Sequence, residues 1–319
     1  MRVLLTGASG FVGKAVMERM SKDGTELIVP LRRPAAQLPV GVSSYIFDDL
    51  ADERAWPQDQ NSVDTVIHCA SRVHVMNEVA ADPLAEFRKV NVQSTLAFAQ
   101  RAARAGVKRF IFISSIKVNG EGTSQGRPYR ADDTPAPSDP YGVSKQEAEE
   151  QLRQLGADTG MEIVIIRPVL VYGPGVKANF LNMMRWLDKG VPLPFGAIHN
   201  KRSLVALENL VDLIAVCARH PGAANQTFMV SDGHDVSTTE LLKSMGRALG
   251  RPARLLPVPS SLLVMAANLL GKRSLSQRLC GSLQVDISET RRRLDWTPPV
   301  SLEKALSDAA EYYLESKQK

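Results

Sequence analysis

The run VLLT at 3–6 passes without a break into Gly7-Ala-Ser-Gly10-Phe-Val-Gly13, and an amphipathic stretch continues through Met20. A strand that enters a helix through three glycines can be folded in few ways. Gly7 permits the tight turn, Gly10 lets the main chain approach a pyrophosphate, and Gly13 allows the helix to pack closely on the strand. The helix N-terminus adds amide donors and the positive end of a dipole. The backbone of Gly7, Gly10, Phe11, Val12 and Gly13 is therefore expected to hold a dinucleotide.

The rest of the first half repeats this alternation. Short apolar, β-branched runs recur at 26–31 (ELIVPL), 43–47 (SSYIF), 65–70 (TVIHCA), 109–115 (RFIFISS) and 162–168 (EIVIIRP), with helical patterns between them. Near-continuous apolar runs suit parallel strands covered on both faces. The fold expected is α/β, a Rossmann-type doubly wound parallel sheet. Gly106 is expected to close one helix, and Gly156 and Gly160 to close the helix that follows Tyr141. Beyond Pro168 the texture changes, with Pro174, Pro192 and Pro194 punctuating shorter elements. We place a nucleotide-binding domain at 1–170 and a smaller C-terminal substrate-binding region at 171–319, with some interleaving of the chain. The Gly-, Pro- and Asp-rich stretch 120–140 reads as a surface loop.

A chain of 319 residues with 44% hydrophobic residues can bury a large core. Its 39 basic and 34 acidic residues leave a net charge of +5. That excess suits anionic ligands, while the absence of basic runs interleaved with aromatics argues against nucleic acid. Cys69, Cys217 and Cys280 form no CxxC pair, so neither a metal site nor a disulfide framework is expected, and a reducing cytoplasm fits. The chain opens on a strand pattern, so no secretory leader is expected. Leu262 to Leu270 is too short to span a bilayer, which needs roughly 20 residues, and is expected to form a buried or interfacial helix.

Two local patterns carry chemistry. The second strand ends Leu31-Arg32-Arg33, with no carboxylate for a ribose 2′-hydroxyl and two guanidiniums able to meet a 2′-phosphate. NADP(H) is therefore expected over NAD(H). Tyr141-Gly-Val-Ser-Lys145 sets a phenol and an ammonium on one helix face, where the cation is expected to lower the tyrosine pKa. Ser115, at the end of RFIFISS, is expected to donate to the same substrate oxygen.

TGASGFVG, FDDL, VIHCAS, ISSIKVNG, YGVSK, RPVLVYGPG and RRRLDWTPPVSLEKAL, in this order, resemble the extended short-chain dehydrogenase/reductases of the epimerase/dehydratase family over essentially the whole chain. The resemblance implies a catalytic triad of Ser115, Tyr141 and Lys145, with Lys145 also on the nicotinamide ribose. It implies that Asp49 and Leu50 lie beside the adenine, Ala70 and Ser71 in the cofactor cleft, and Pro168 and Val169 beside the nicotinamide amide. Asn91 matches an asparagine that positions the central helix. Ser115, five residues before Gly120, is chosen over Ser114. The sequence departs from the family at Asn119, where a tyrosine is usual.

Family members that dehydrate sugar nucleotides carry an acidic pair after the catalytic hydroxyl. Ile116 and Lys117 stand there, which disfavours dehydration. In the substrate half the resemblance assigns Asn179 to a nucleotide diphosphate, Arg202 to a phosphate clamp and Arg278 to a second cation. SSIKVNGE and RLCGSLQVD are most similar to bacterial reductases of UDP-4-keto-6-deoxy-N-acetylhexosamines. The expected reaction is NADPH-dependent reduction at C4 of such a UDP-sugar, serving O-antigen precursors. A UDP-hexose 4-epimerase with tightly bound NAD is the alternative, and a non-catalytic NADP(H) sensor a third reading. Arg72 and His74 could touch the sugar or be structural. Arg291, Arg292 and Arg293 are expected on a solvated helix face. Relatives suggest a homodimer paired through a four-helix face that includes the Tyr141 helix.

Overall fold

The computed structural model describes residues 1–35, 37–57, 63–73, 82–124, 126–271 and 273–318. Seven parallel strands form one sheet: β1 (Arg2–Thr6), β2 (Glu26–Leu31), β3 (Val42–Ile46), β4 (Thr65–His68), β5 (Arg109–Ile113), β6 (Glu162–Pro168) and a late strand at Thr227–Val230. Two short parallel strands, β7 (Leu170–Tyr172) and β8 (Leu204–Ala206), make a second sheet, so the late strand is β9. The order β3-β2-β1-β4-β5-β6-β9 is doubly wound, reversing direction between β1 and β4. Ligands in such sheets bind outside the carboxyl ends of the strands at that reversal.

Successive strand residues face opposite sides, so the sheet feeds two cores. Val3, Leu5, Ile67, Ile111 and Val164 pack on one face beneath α1 (Phe11–Lys22) and α6 (Leu207–Arg219). Leu4, Val66, Phe110, Phe112 and Ile163 pack on the other, beneath α3 (Thr95–Arg104) and α4 (Pro140–Thr159). A short α2 (Pro83–Arg88) and a π-helical turn at Lys89–Ser94 lead into α3. A third core joins Phe180 and Met184 of α5 (Ala178–Asp188), Leu242 of α7 (Thr238–Ala248) and Leu306 of α11 (Leu302–Gln318) under β7 and β8. Between α7 and α11 lie α8 (Ser260–Leu269), α9 (Arg273–Cys280) and α10 (Ser288–Leu294). Among the described residues no helix is long and apolar enough to cross a membrane.

Of the two glycines expected to close α4, Gly156 lies inside the helix, which runs on to Thr159. A Cβ on Gly156 would lie 2.6 Å from Cγ1 of Ile163, so this glycine lets α4 press against β6. The stop is Gly160, at φ 77°. The late strand β9 pairs with β6, so the sheet draws on chain beyond residue 170. The Leu262–Leu270 segment is helical as expected, and since α8 buries none of its residues, the buried one of the two expected alternatives is excluded.

Candidate active site

Tyr141 and Lys145 sit in the first turns of α4, whose start is tightly specified. The Asp139 carboxylate accepts from the Gly142 amide at 2.6 Å, and Pro140 occupies the first turn. A Cβ at position 142 would lie 2.7 Å from the Lys117 carbonyl oxygen. Glycine there lets the helix start close against the segment that follows β5, which brings Tyr141 to Ser115. The phenol lies close enough to the hydroxyls of Ser71 and Ser115 for both to act on its ionisation, and Phe87 meets its ring edge-on at 5.9 Å.

Burial pushes the Tyr141 phenol up to about 12, against the pull of the two serine hydroxyls. The expected lowering by Lys145 is therefore corrected for this state of the protein. The reason lies in the lysine. Lys145 is 1% exposed, donates from Nζ to the Ile113 carbonyl at 2.8 Å and lies 4.4 Å over the Phe112 ring. Burial brings its own pKa down to about 7, with Cys69 and Glu149 pulling the other way. At neutral pH the ammonium is only partly charged, and its Nζ is 5.9 Å from the Tyr141 ring centre.

Ser114 and Ser115 are separated by what they touch. The Ser114 hydroxyl donates to Glu149 at 2.5 Å, and Glu149 also binds Arg167 through two bonds of 2.9 and 2.6 Å. Ser115 instead caps a short turn and faces Tyr141. Asn119 is 2% exposed; its side chain accepts from Arg167 at 3.0 Å and donates to the Arg130 carbonyl at 3.1 Å. The departure from the family at this position thus serves the buried Glu149–Arg167 pair. Asn91 accepts from the Ser71 hydroxyl at 3.0 Å and donates to Ser144 of α4 at 3.0 Å, tying the end of β4 to the Tyr141 helix. Sequence reasoning missed Glu149 and Ser144 as supports, although Glu149 stands one helical turn beyond Lys145.

The other end of the crevice opens above the glycine turn. Gly7 adopts φ 73°, and a Cβ there would lie 2.6 Å from the Ala70 amide nitrogen. At Gly13 a Cβ would come within 2.2 Å of the Gly7 carbonyl oxygen. At Gly10 it would meet only that oxygen, at 3.2 Å, so the space above the turn is open. Gly10 caps α1 without a side chain, leaving the first-turn amides at Phe11 and Val12 without a side-chain cap. These features fit a diphosphate.

The remaining expected cofactor residues follow along the carboxyl edge. Arg32 and Arg33 are exposed beyond β2. Asp49 accepts from Ser94 at 3.1 Å and from the Ala51 amide at 2.9 Å, beside buried Leu50. Ala70 and Ser71 follow β4, and Pro168, the last residue of β6, and Val169 after it are both buried.

Of the expected substrate residues, Asn179 is exposed in the first turn of α5, while Phe180 stacks on Tyr172 at 5.3 Å and belongs to the core. Arg202 donates to the Gly281 carbonyl at 3.0 Å. Burial first, and the like charge of Arg278 second, lower its pKa. Two guanidiniums held within each other's field are suited to an anion. Lys117 pairs with Glu121 and Asp139. Arg72 stacks over Phe87 at 5.6 Å and pairs with Glu86 at 3.6 Å, and His74 lies outside the described residues. Arg291, Arg292 and Arg293 are exposed, the last two paired with Glu289.

The profile of the NAD dependent epimerase/dehydratase family matches residues 3–231. The chain is 48% identical over 316 residues to a UDP-glucose 4-epimerase of Vibrio cholerae, covering 98% of this chain and 96% of the relative. It is 29% identical over 268 residues to the N-acetyl-alpha-D-glucosaminyl-diphospho-ditrans,octacis-undecaprenol 4-epimerase of Escherichia coli O157:H7, covering 82% and 77%. MoeE5 in complex with UDP-glucose and NAD superposes with a TM-score of 0.77 at 24% identity, over 99% of this chain and all of that one. A Thermotoga maritima UDP-glucose 4-epimerase with UDP-glucose gives 0.76 at 22%, with coverage of 99% and 100%. The chain belongs to the NAD dependent epimerase/dehydratase family and is an NAD(P)-dependent enzyme of the extended short-chain dehydrogenase/reductase type.

Proposed function

We propose that the protein is a 4-epimerase of a UDP-hexose or UDP-N-acetylhexosamine that keeps NAD bound through the cycle. The observation that carries the reading is the Tyr141 phenol, set beside Ser115 and Lys145 at the same sheet edge as the Gly7–Gly13 turn. The 48% identity to a UDP-glucose 4-epimerase across 98% of the chain favours epimerisation over the reduction anticipated from the sequence.

The backbone of Gly7, Gly10, Phe11, Val12 and Gly13 would hold the dinucleotide's diphosphate, Asp49 and Leu50 its adenine end, and Ala70, Ser71, Pro168 and Val169 its nicotinamide end. When bound, the nicotinamide supplies a hydride acceptor and donor at C4 of the sugar. Tyr141 takes the proton of the sugar 4-hydroxyl at Oη as the alcohol becomes a ketone, and returns it after the ketone turns its other face. Ser115 donates to the same oxygen and steadies the charge that gathers there. Lys145 would favour the ionised phenol only once bound anionic ligands restore the charge that burial takes from it in the ligand-free protein. Asn179, Arg202 and Arg278 would take the UDP diphosphate. A homodimer through α4, in the cytoplasm, fits this reading.

A second reading is reduction of a UDP-4-keto-6-deoxy-N-acetylhexosamine by NADPH. Its specific support is the exposed Arg32–Arg33 pair beyond β2, with no carboxylate at the tip. Purified protein given UDP-galactose or UDP-N-acetylgalactosamine and no added nicotinamide separates the two. The epimerase forms the gluco product, whereas the reductase forms none and oxidises NADPH only with a keto sugar. Tyr141→Phe should slow turnover by about 10²- to 10⁴-fold with cofactor binding nearly intact. Normal turnover in that variant would refute the assignment.

A further inference from the structure

The helix α8 has no charged residue, and Leu262, Met265 and Leu269 lie three and four residues apart, forming one stripe. They are 49%, 56% and 82% exposed, and Leu270 beyond them is 72% exposed. Leu263 and Ala267, on the other side of the helix, are half-buried, and the element chiefly beside α8 is α9. Such a stripe on an otherwise polar surface marks a contact with something apolar.

Charge identifies the partner. Between residues 241 and 285 the sequence holds seven Lys and Arg and no Asp or Glu. Outside that stretch the chain has 32 basic and 34 acidic residues, so the excess positive charge of the whole protein resides here. Arg254 and Arg278, on either side of α8 in the chain, are both exposed. A second copy of this chain would bring an equal positive patch against the first, and the pairing would be opposed. Nucleic acid would satisfy the arginines and leave the leucines in water. A surface with an apolar interior and an anionic face satisfies both.

We propose that α8 and the basic segments flanking it dock the protein on an anionic lipid bilayer, with the Leu262–Met265–Leu269 stripe entering the acyl boundary. The docking does not depend on which reaction the active site performs. Arg278 lies on α9 and acts electrostatically on Arg202, so docking would hold the anion-binding side of the substrate region near the membrane.

The test is co-flotation of the full chain with phosphatidylcholine vesicles, with and without phosphatidylglycerol, beside the double variant Met265→Glu/Leu269→Glu. Both positions are exposed, so the variant should keep its circular dichroism, its Tm and its turnover of soluble substrate. The wild type should partition onto anionic vesicles at least about tenfold more than onto neutral ones, and the variant should lose at least about tenfold of that. At about 0.5 M salt, where screening is within a few Å, wild-type binding should fall as well. No flotation with either vesicle, or equal flotation of variant and wild type, overturns the proposal. Sedimentation showing a dimer that the variant dissolves also overturns it, since a second copy then covers α8. Loss of turnover with docking intact would count against the proposed reaction and not against the docking.

Discussion

Replacing Lys145 by Met should remove a specific dependence of stability on pH. The ordinary lysine value is 10.5, and burial lowers the folded value to about 7. The unfolded chain therefore holds this proton more tightly, and between about pH 7 and 10.5 it binds more protons than the folded protein. Stability must then rise with pH across that window and be lost as pH falls toward 7, at up to 1.36 kcal/mol per pH unit for one proton. Half-protonation at the lower end trims the integral, so from pH 7 to 9 the wild type should gain about 2 kcal/mol from this group. Lys145→Met has no such proton to release. Urea denaturation of nucleotide-free wild type and variant at pH 7 and pH 9 reads the difference directly, because other titrating groups cancel. Equal changes in the two proteins would show that Lys145 is not held in a desolvated, poorly charged state. A wild type that loses stability relative to the variant would mean that its ammonium is stabilised.

Two further substitutions probe the supports of the site. Glu149→Gln keeps an acceptor for Ser114 but leaves the Arg167 guanidinium, 2% exposed, without its opposite charge. Breaking one side of such a pair costs about 3–5 kcal/mol, so Tm should fall by roughly 5–15 °C; a fall under about 2 °C would show the pair to be dispensable. Arg32→Asp with Arg33→Ser should raise the Michaelis constant or Kd for NADP(H) at least about tenfold relative to NAD(H) if the two arginines meet a 2′-phosphate. An unchanged ratio removes the reductase reading's support.

Most of the sheet was legible because β1, β2, β4, β5 and β6 are apolar runs buried on both faces, while β3, VSSYI, lies at the sheet's edge with no residue fully buried. The last strand, β9, was not: Thr227–Val230 is four residues long and pairs with β6 from about 60 residues away, which no local pattern reports. Gly156 looked like a helix stop because sequence shows the missing side chain and not the Ile163 side chain that needs the space. The stretch at 262–270 has enough apolar residues for a core helix, but among the described residues the element chiefly beside it is α9, and none of α8 is buried. Within the site, the order of Ser115, Tyr141 and Lys145 could be read from spacing. Their electrostatics could not, since the partial discharge of Lys145 comes from its desolvation in the folded protein, where it is 1% exposed. Asn119, read only as a departure from the family's tyrosine, proved to be a partner of Arg167, a contact between residues 48 apart.

The central proposal is that one hydride leaves C4 of a UDP-hexose and returns to the same carbon within one protein. Mass spectrometry of product formed from UDP-galactose deuterated at C4 tests it directly. The account predicts UDP-glucose that retains the deuterium at C4, with none in added free nicotinamide. Product carrying protium at C4, or label appearing in the free dinucleotide, would contradict it.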